Sequence, residues 1–238
     1  LKLYENVVIG NFLYTLGFSI GSKSQGNQTL SVVNLLQQTP EDKRLADALL
    51  QFQGTVKLIE FKNRAGSLKK EKDKHARLVK ILTNNAEFTH VSREIHWYIE
   101  TNPYKKKCVN KIVPYLDAFD EVASVHTLES MVDEISNEAF LEHPKVSLDE
   151  CQAYLKLIAS HQGGKKSGSS ETTGGLLVAL NGTEVTYLQY TDILDLRLTA
   201  KQFSEKVKTQ EQSLMKLYQE QEKKHELERT IERPGLSR

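Results

Sequence analysis

Three residues between positions 45 and 64 have types and spacing that could do chemistry together: Asp47, Glu60 and Lys62. Twelve residues separate the first two, and one separates the last two. Carboxylates are hard oxygen donors of the kind that Mg²⁺ or Mn²⁺ takes. An ammonium beside them orients an attacking water or stabilises charge developing on a phosphoryl oxygen. The combination suits a divalent-metal phosphodiesterase. A hairpin must position it. In LADALLQFQGTVKLIEFKNR, Ala48, Leu49, Leu50 and Phe52 read as one strand, and Val56, Leu58, Ile59 and Phe61 as the next, with Gln53-Gly54 as the turn. Alternation along a strand points Glu60 and Lys62 one way and Phe61 the other. The antiparallel return brings Asp47 to the end of the strand that carries Glu60. An acid and a base two apart on a strand are also a common surface pair without chemistry. The apolar frame, the upstream aspartate and a basic helix that follows favour a site.

Around this hairpin the pattern predicts an α/β protein. Residues 3–18 have helical spacing of Tyr4, Val7, Val8, Leu13 and Leu16, and that helix is expected to end at Gly17 and Gly21. Residues 22–28 read as a loop, 30–36 as a strand, 40–43 as a turn, 68–82 as a helix and 91–99 as a strand. The core order is therefore helix, three strands, helix, strand. Past Asn102-Pro103, residues 109–125, 128–140 and 148–160 look helical, the last with Ser147 as a cap. Residues 162–175 read as a low-complexity connector. Residues 176–180 and 184–190 form an expected hairpin around Asn181-Gly182. From 199 to 232 runs one long polar helix, ended by Pro234-Gly235. The expected division is 1–102 as core, 103–198 as a helical region with a β-hairpin, and 199–238 as a long C-terminal helix.

Ala46-Asp47 followed by Glu60-Phe61-Lys62 resembles the PD-(D/E)xK nuclease superfamily, with its restriction-endonuclease-like fold. The likeness covers about residues 1–100, including the order of elements, and does not reach the C-terminal half. Where that family has proline before the aspartate, this chain has Ala46. The resemblance implies a metal-dependent endonuclease that hydrolyses phosphodiester bonds of DNA, with RNA left open. It implies Asp47, Glu60 and Lys62 as catalytic residues, and Asp47 and Glu60 as ligands to Mg²⁺ (or Mn²⁺). Glu5 matches, in order and context, an acid that many members carry on the first core helix, and the resemblance implies it as a further metal ligand. Fold-level analogy extends this to the effector of a bacterial antiphage defence complex, with a protein partner docked on the C-terminal half. The competing expectation is a catalytically inactive nucleic-acid-binding or adaptor subunit that keeps the fold.

Between Lys62 and Lys80 there are eight Lys or Arg residues against two acids. Such local excess is what a chain of net charge +1 needs to grip a phosphate backbone. Lys70, Lys74 and Arg77 share a helical face by spacing, and with Arg64 and His75 they are the expected nucleic-acid contacts. The alternative is a solvated charged face.

A hydrophobic fraction of 39% and a charged fraction of 26% fit a folded soluble protein. The apolar runs fall short of the ~20 residues that span a bilayer, so no membrane partner is expected. Cys108 and Cys151 stand in no metal-ligand spacing and fit free thiols in a reducing cytoplasm. Residues 163–167 (GGKKS) lack the glycine spacing of a phosphate-binding loop, and the histidines show no zinc pairing. The last helix carries a broken apolar stripe of Phe203, Val207, Leu214, Leu217, Tyr218, Leu227 and Ile231. Packing on its own domain is one reading, and docking to a second copy or another subunit is the other.

Overall fold

The structure, a computed structural model, describes residues 4–25, 29–37, 45–64, 68–101, 109–162, 175–181, 184–190, 192–197 and 200–231. It is mixed α/β. Helix α1 (Glu5–Lys23) precedes strands β1 (Thr29–Leu35), β2 (Ala48–Phe52) and β3 (Thr55–Asn63). Helices α2 (Lys69–Thr83) and α3 (Thr89–Ile95) lead into β4 (His96–Thr101) and β5 (Val109–Pro114). Then come α4 (Leu128–Glu138), α5 (Leu148–Gln162), β6 (Gly175–Asn181), β7 (Glu184–Tyr190) and α6 (Ala200–Ile231). Among the described residues no helix is long and apolar enough to cross a membrane.

Among the described residues seven strands make one sheet in the order β5-β4-β3-β2-β1-β6-β7. Only β3 and β4 run parallel, joined through α2 and α3. One face carries Ala48, Leu50, Phe52, Ile59, Phe61, Trp97, Ile99 and Ile112, packed under α1 and α4 through Ile9, Phe12, Leu16 and Met131. Strand alternation turns Leu58, Glu60, His96 and Tyr98 to the other face, where Lys74 of α2 and Tyr154 of α5 reach Glu60 and His96. Covered on both sides, β2 is buried along its whole length. The core thus forces a polar group, Glu60, beneath a helix.

Several sequence expectations change. Helix α1 runs through Gly17 and Gly21, because Leu16 and Ile20 on its buried face hold it against the sheet. Residues 91–95, expected as strand, form α3, whose Val91 and Ile95 are buried, and the strand starts only at His96. The segment 109–125, expected as helix, begins with β5, a short 3-10 turn at Tyr115–Asp117 and irregular chain. Val109, Ile112 and Val113 there add a strand to β4, a long-range pairing that overrides local helical spacing. The predicted hairpin is present as β6–β7, and it joins the core sheet through β1. Strands β5 to β7 therefore carry the sheet past the boundary expected at residue 102. The capping expected at Ser147 is reciprocal: the Glu150 N–H donates to Ser147 Oγ at 3.2 Å, and Ser147 N–H donates to Glu150 Oε2 at 3.1 Å.

Residues up to Arg197 form one compact unit, and Leu198–Arg238 form a second. The second is α6, of 32 residues, with Met215, Leu217 and Tyr218 exposed. The side chains of Phe203, Val207, Leu214, Leu227 and Ile231 lie outside the described residues, as do Pro234-Gly235, Gly182 and residues 163–174.

The Gln53-Gly54 turn joins β2 to β3 beneath the C-terminal end of α4. A Cβ on Gly54 would collide with the Glu138 carbonyl and with Leu141, both close to backbone that has no room to retreat. Gly54→Ala is expected to destabilise the protein by about 1–3 kcal/mol, as read from the midpoint of urea unfolding at an unchanged slope.

Candidate active site

The site forms where β2 stops and β3 continues. Ala48 pairs with Ile59, so Asp47, the residue just before β2, lies level with Glu60. Beyond that point the β3 N–H groups that would have bonded to β2 need other acceptors. Asp47 Oδ2 accepts from the Phe61 N–H at 2.7 Å, and Glu5 Oε1 accepts from the Asn63 N–H at 2.6 Å. Gln37 Nε2 donates to Asp47 Oδ1 at 3.3 Å. Two acids far apart in sequence thus finish the edge of one strand.

On the face covered by α2, Lys62 Nζ lies 2.5 Å from Glu60 Oε1, 3.4 Å from Asp47 Oδ2 and 3.7 Å from Glu71 Oε2. Glu60 is 1% exposed, and its second oxygen takes the Lys74 ammonium at 2.7 Å. Burial works against the Glu60 charge, yet Lys74 and Lys62 together hold the carboxylate well below its usual range. Burial also opposes the charge on Lys62. The carboxylates of Glu60, Asp47 and Glu71 outweigh it and hold this ammonium above the usual lysine range. Lys62 is the most open of the group, with 21% of its side chain exposed.

Glu71 is 5% exposed, and the Tyr115 hydroxyl donates to its Oε1. Burial first, and then the negative charge of Glu60, push the Glu71 carboxyl up to about 7. Below this layer His96 is fully buried and stacks on Tyr115, with ring centroids 4.3 Å apart. Its Nδ1–H donates to Tyr154 Oη at 2.8 Å, because that hydroxyl gives its own hydrogen to Ser92. Burial, reinforced by Lys74, lowers His96 to about 3, so the ring is neutral at physiological pH. It is a core residue.

The expected nucleic-acid contacts divide. The buried face of α2 is Glu71, Lys74, Leu78, Ile81 and Leu82, which leaves Lys70 and Arg77 on its exposed flank. Lys74 departs from expectation: it turns inward to Glu60 and is 6% exposed, so it is a counter-ion and not a surface cation. His75 departs as well. Its Nε2–H donates to the Leu116 carbonyl at 2.8 Å, and its ring packs edge-on to Tyr115 and Phe119. Arg64 is exposed, with Glu100 at 3.9 Å.

Among the described residues, the one group of three acids whose ligand atoms lie within 4.8 Å of one another is Glu94, Glu134 and Glu138. Asp47, Glu60 and Glu5 are not as tightly gathered. The glutamate group, which sequence reasoning missed, already encloses ammonium groups. Lys145 contacts Glu94, Glu134 and Glu138 at 3.2, 3.4 and 2.5 Å, and the buried Lys57 contacts Glu138 at 3.0 Å. It ties α3 to α4 as an ion-pair network. Glu71 and Tyr115 were also missed. Glu71 carries a helical-spacing signal, three residues before Lys74 on the buried face, whereas Tyr115 has no sequence signal at all.

The Glu71 shift has a measurable consequence. An acid whose folded pKa is raised keeps its proton between about 4.5 and about 7, where the unfolded chain has lost it. Its contribution to stability therefore falls as pH rises through that window. Glu71→Gln is expected to gain stability relative to wild type progressively from pH 4.5 to 7 and then level off, as measured by urea unfolding at a series of pH values.

Neither a protein-family model, nor a curated protein, nor a solved structure matches this chain.

Proposed function

We propose that the chain is a metal-dependent endonuclease acting on DNA, built on the PD-(D/E)xK pattern. The observation that carries this reading is the convergence of Asp47, just before β2, with Glu60 and Lys62 in the C-terminal half of β3 onto one point. The donor chemistry fits a hard divalent cation. Two carboxylates face one another across the Lys62 ammonium, a positive group standing where a cation between them would stand. Asp47 and Glu60 would hold that cation, whose chemistry when bound is activation of water and neutralisation of charge on phosphoryl oxygens. Glu5 stays with the Asn63 backbone and shapes the strand end.

The protein's own contribution follows from burial and charge. Lys62, the open member of the cluster, stabilises the negative charge that builds on the phosphoryl group at the transition state. The surrounding carboxylates keep it protonated for that task. Lys74 compensates the Glu60 charge from the covering helix α2, so that the carboxylate is ionised although it is buried. Arg64, Lys70 and Arg77, all exposed, are suited to backbone phosphates.

A specific observation favours a second reading, a nucleic-acid-binding subunit without hydrolysis. Both oxygens of Glu60 are already taken by lysines, Lys62 and Lys74. Cleavage of supercoiled plasmid separates the two. The nuclease predicts nicking or linearisation that needs Mg²⁺ or Mn²⁺, stops with EDTA, and drops by about 100-fold or more in Glu60→Gln and Lys62→Met. Binding without cleavage in every metal supports the second reading. Either way, Lys70→Ala combined with Arg77→Ala is expected to lower the slope of log K against log salt by about 0.9 for each phosphate no longer neutralised.

A further inference from the structure

The ammonium of Lys62 touches a third carboxylate besides the two expected. Glu71 comes from α2, a different element from those carrying Asp47 and Glu60, and its Oε2 is 3.7 Å from Lys62 Nζ. Three acids from three places in the chain therefore surround one positive group. An ammonium holds its acceptors at 2.5–3.7 Å here, whereas Mg²⁺ takes oxygens at about 2.0–2.1 Å. The wider spread is what a cage centred on nitrogen has.

A second, independent feature lies on the same face of the sheet, next to Glu60. Tyr98 lies opposite Glu60 in the β3–β4 register, on the same sheet face. Its side chain is fully buried, and its hydroxyl has no hydrogen-bond partner among the described residues. A buried hydroxyl without a partner costs about 1–3 kcal/mol. Alongside Glu60 in the register, it offers a donor to the water that a hydrated hard cation retains. Burial, together with the neighbouring Glu100, Glu71 and Glu60, keeps this phenol protonated, and so able to donate.

We infer that Glu71 is a third carboxylate of the cation site and that Tyr115 is the positioning residue that aims it. The inference rests on the reading of Asp47 and Glu60 as cation ligands. Tyr115 is itself fully buried, clamped between the stacked ring of His96 and the edge of His75. Its hydroxyl occupies Glu71 Oε1 and so leaves Oε2 directed at Lys62. The fixed ring thereby selects which oxygen of Glu71 faces Asp47 and Glu60.

Calorimetric titration of the full chain with Mn²⁺, with no nucleic acid present, tests this without an activity readout. Wild type is expected to bind, Glu60→Gln to lose binding, and Glu71→Gln to weaken it by about tenfold or more, with partial recovery in Glu71→Asp. Tyr115→Phe is expected to weaken Mn²⁺ binding in the wild-type background and to have no further effect in Glu71→Gln. A merely structural tyrosine would not show that dependence. Thermal unfolding of each metal-free variant confirms that it is folded, and Glu71→Asp serves if Glu71→Gln is not. Wild-type affinity in Glu71→Gln, with binding lost in Glu60→Gln, overturns the role of Glu71 and leaves the nuclease reading standing. Absence of Mn²⁺ binding in wild type, or equal affinity in Glu60→Gln, overturns both.

Discussion

The arrangement of this molecule turns on a buried carboxylate. Glu60 sits in the middle of a sheet covered on both faces, where an unpaired charge would cost several kcal/mol, on the order of the stability of a small domain. Two lysines make it tolerable, Lys62 from its own strand and Lys74 from the helix above. That requirement fixes how α2 lies. Its inward face must present Lys74 to Glu60 while Leu78, Ile81 and Leu82 pack, and this brings Glu71 down beside Lys62. A second buried acid beside the first is then unfavourable unless it is protonated or paired, and Tyr115 supplies the hydrogen bond it needs.

A related constraint shapes the edge of the same strand. β3 outlasts β2, so two of its N–H groups lose ladder partners, and side-chain carboxylates replace them. Asp47 and Glu5 are consequently held by backbone geometry rather than by each other. Charged acceptors make stronger hydrogen bonds than carbonyls, which keeps the end of the strand ordered where regular pairing has ceased. The place where a sheet frays is also the place where polar side chains can gather, and the candidate site uses that fact.

Charge balance separates this cluster from the other acidic group. Glu94, Glu134 and Glu138 enclose Lys57 and Lys145 between α3, α4 and β3, against the close-packed Gly54 turn and at the opposite end of β3 from Lys62. Their role follows from the elements they bind together. Asp47, Glu60 and Glu71 surround one lysine that is partly open to solvent, and the fully buried Tyr98 lies opposite Glu60 on the neighbouring strand. Chemistry needs access as well as acids.

Much of this was legible in the chain itself. The two apolar runs ALLQF and TVKLIEF, broken by Gln-Gly, specify the β2–β3 hairpin, and strand alternation assigns each side chain its face. From that hairpin follow the shared face of Glu60 and Lys62, the opposite face of Phe61, and the nearness of Asp47. The β6–β7 hairpin was legible in the same way. Only the tertiary structure decided that residues 109–114 pair with β4 rather than coil, that 91–95 coil rather than pair, and that Lys74 and His75 turn inward. Local pattern records which face of an element is apolar. It does not record that a buried acid on the sheet beneath will draw a lysine off a charged helix surface, because that attraction exists only once the sheet has placed the acid there.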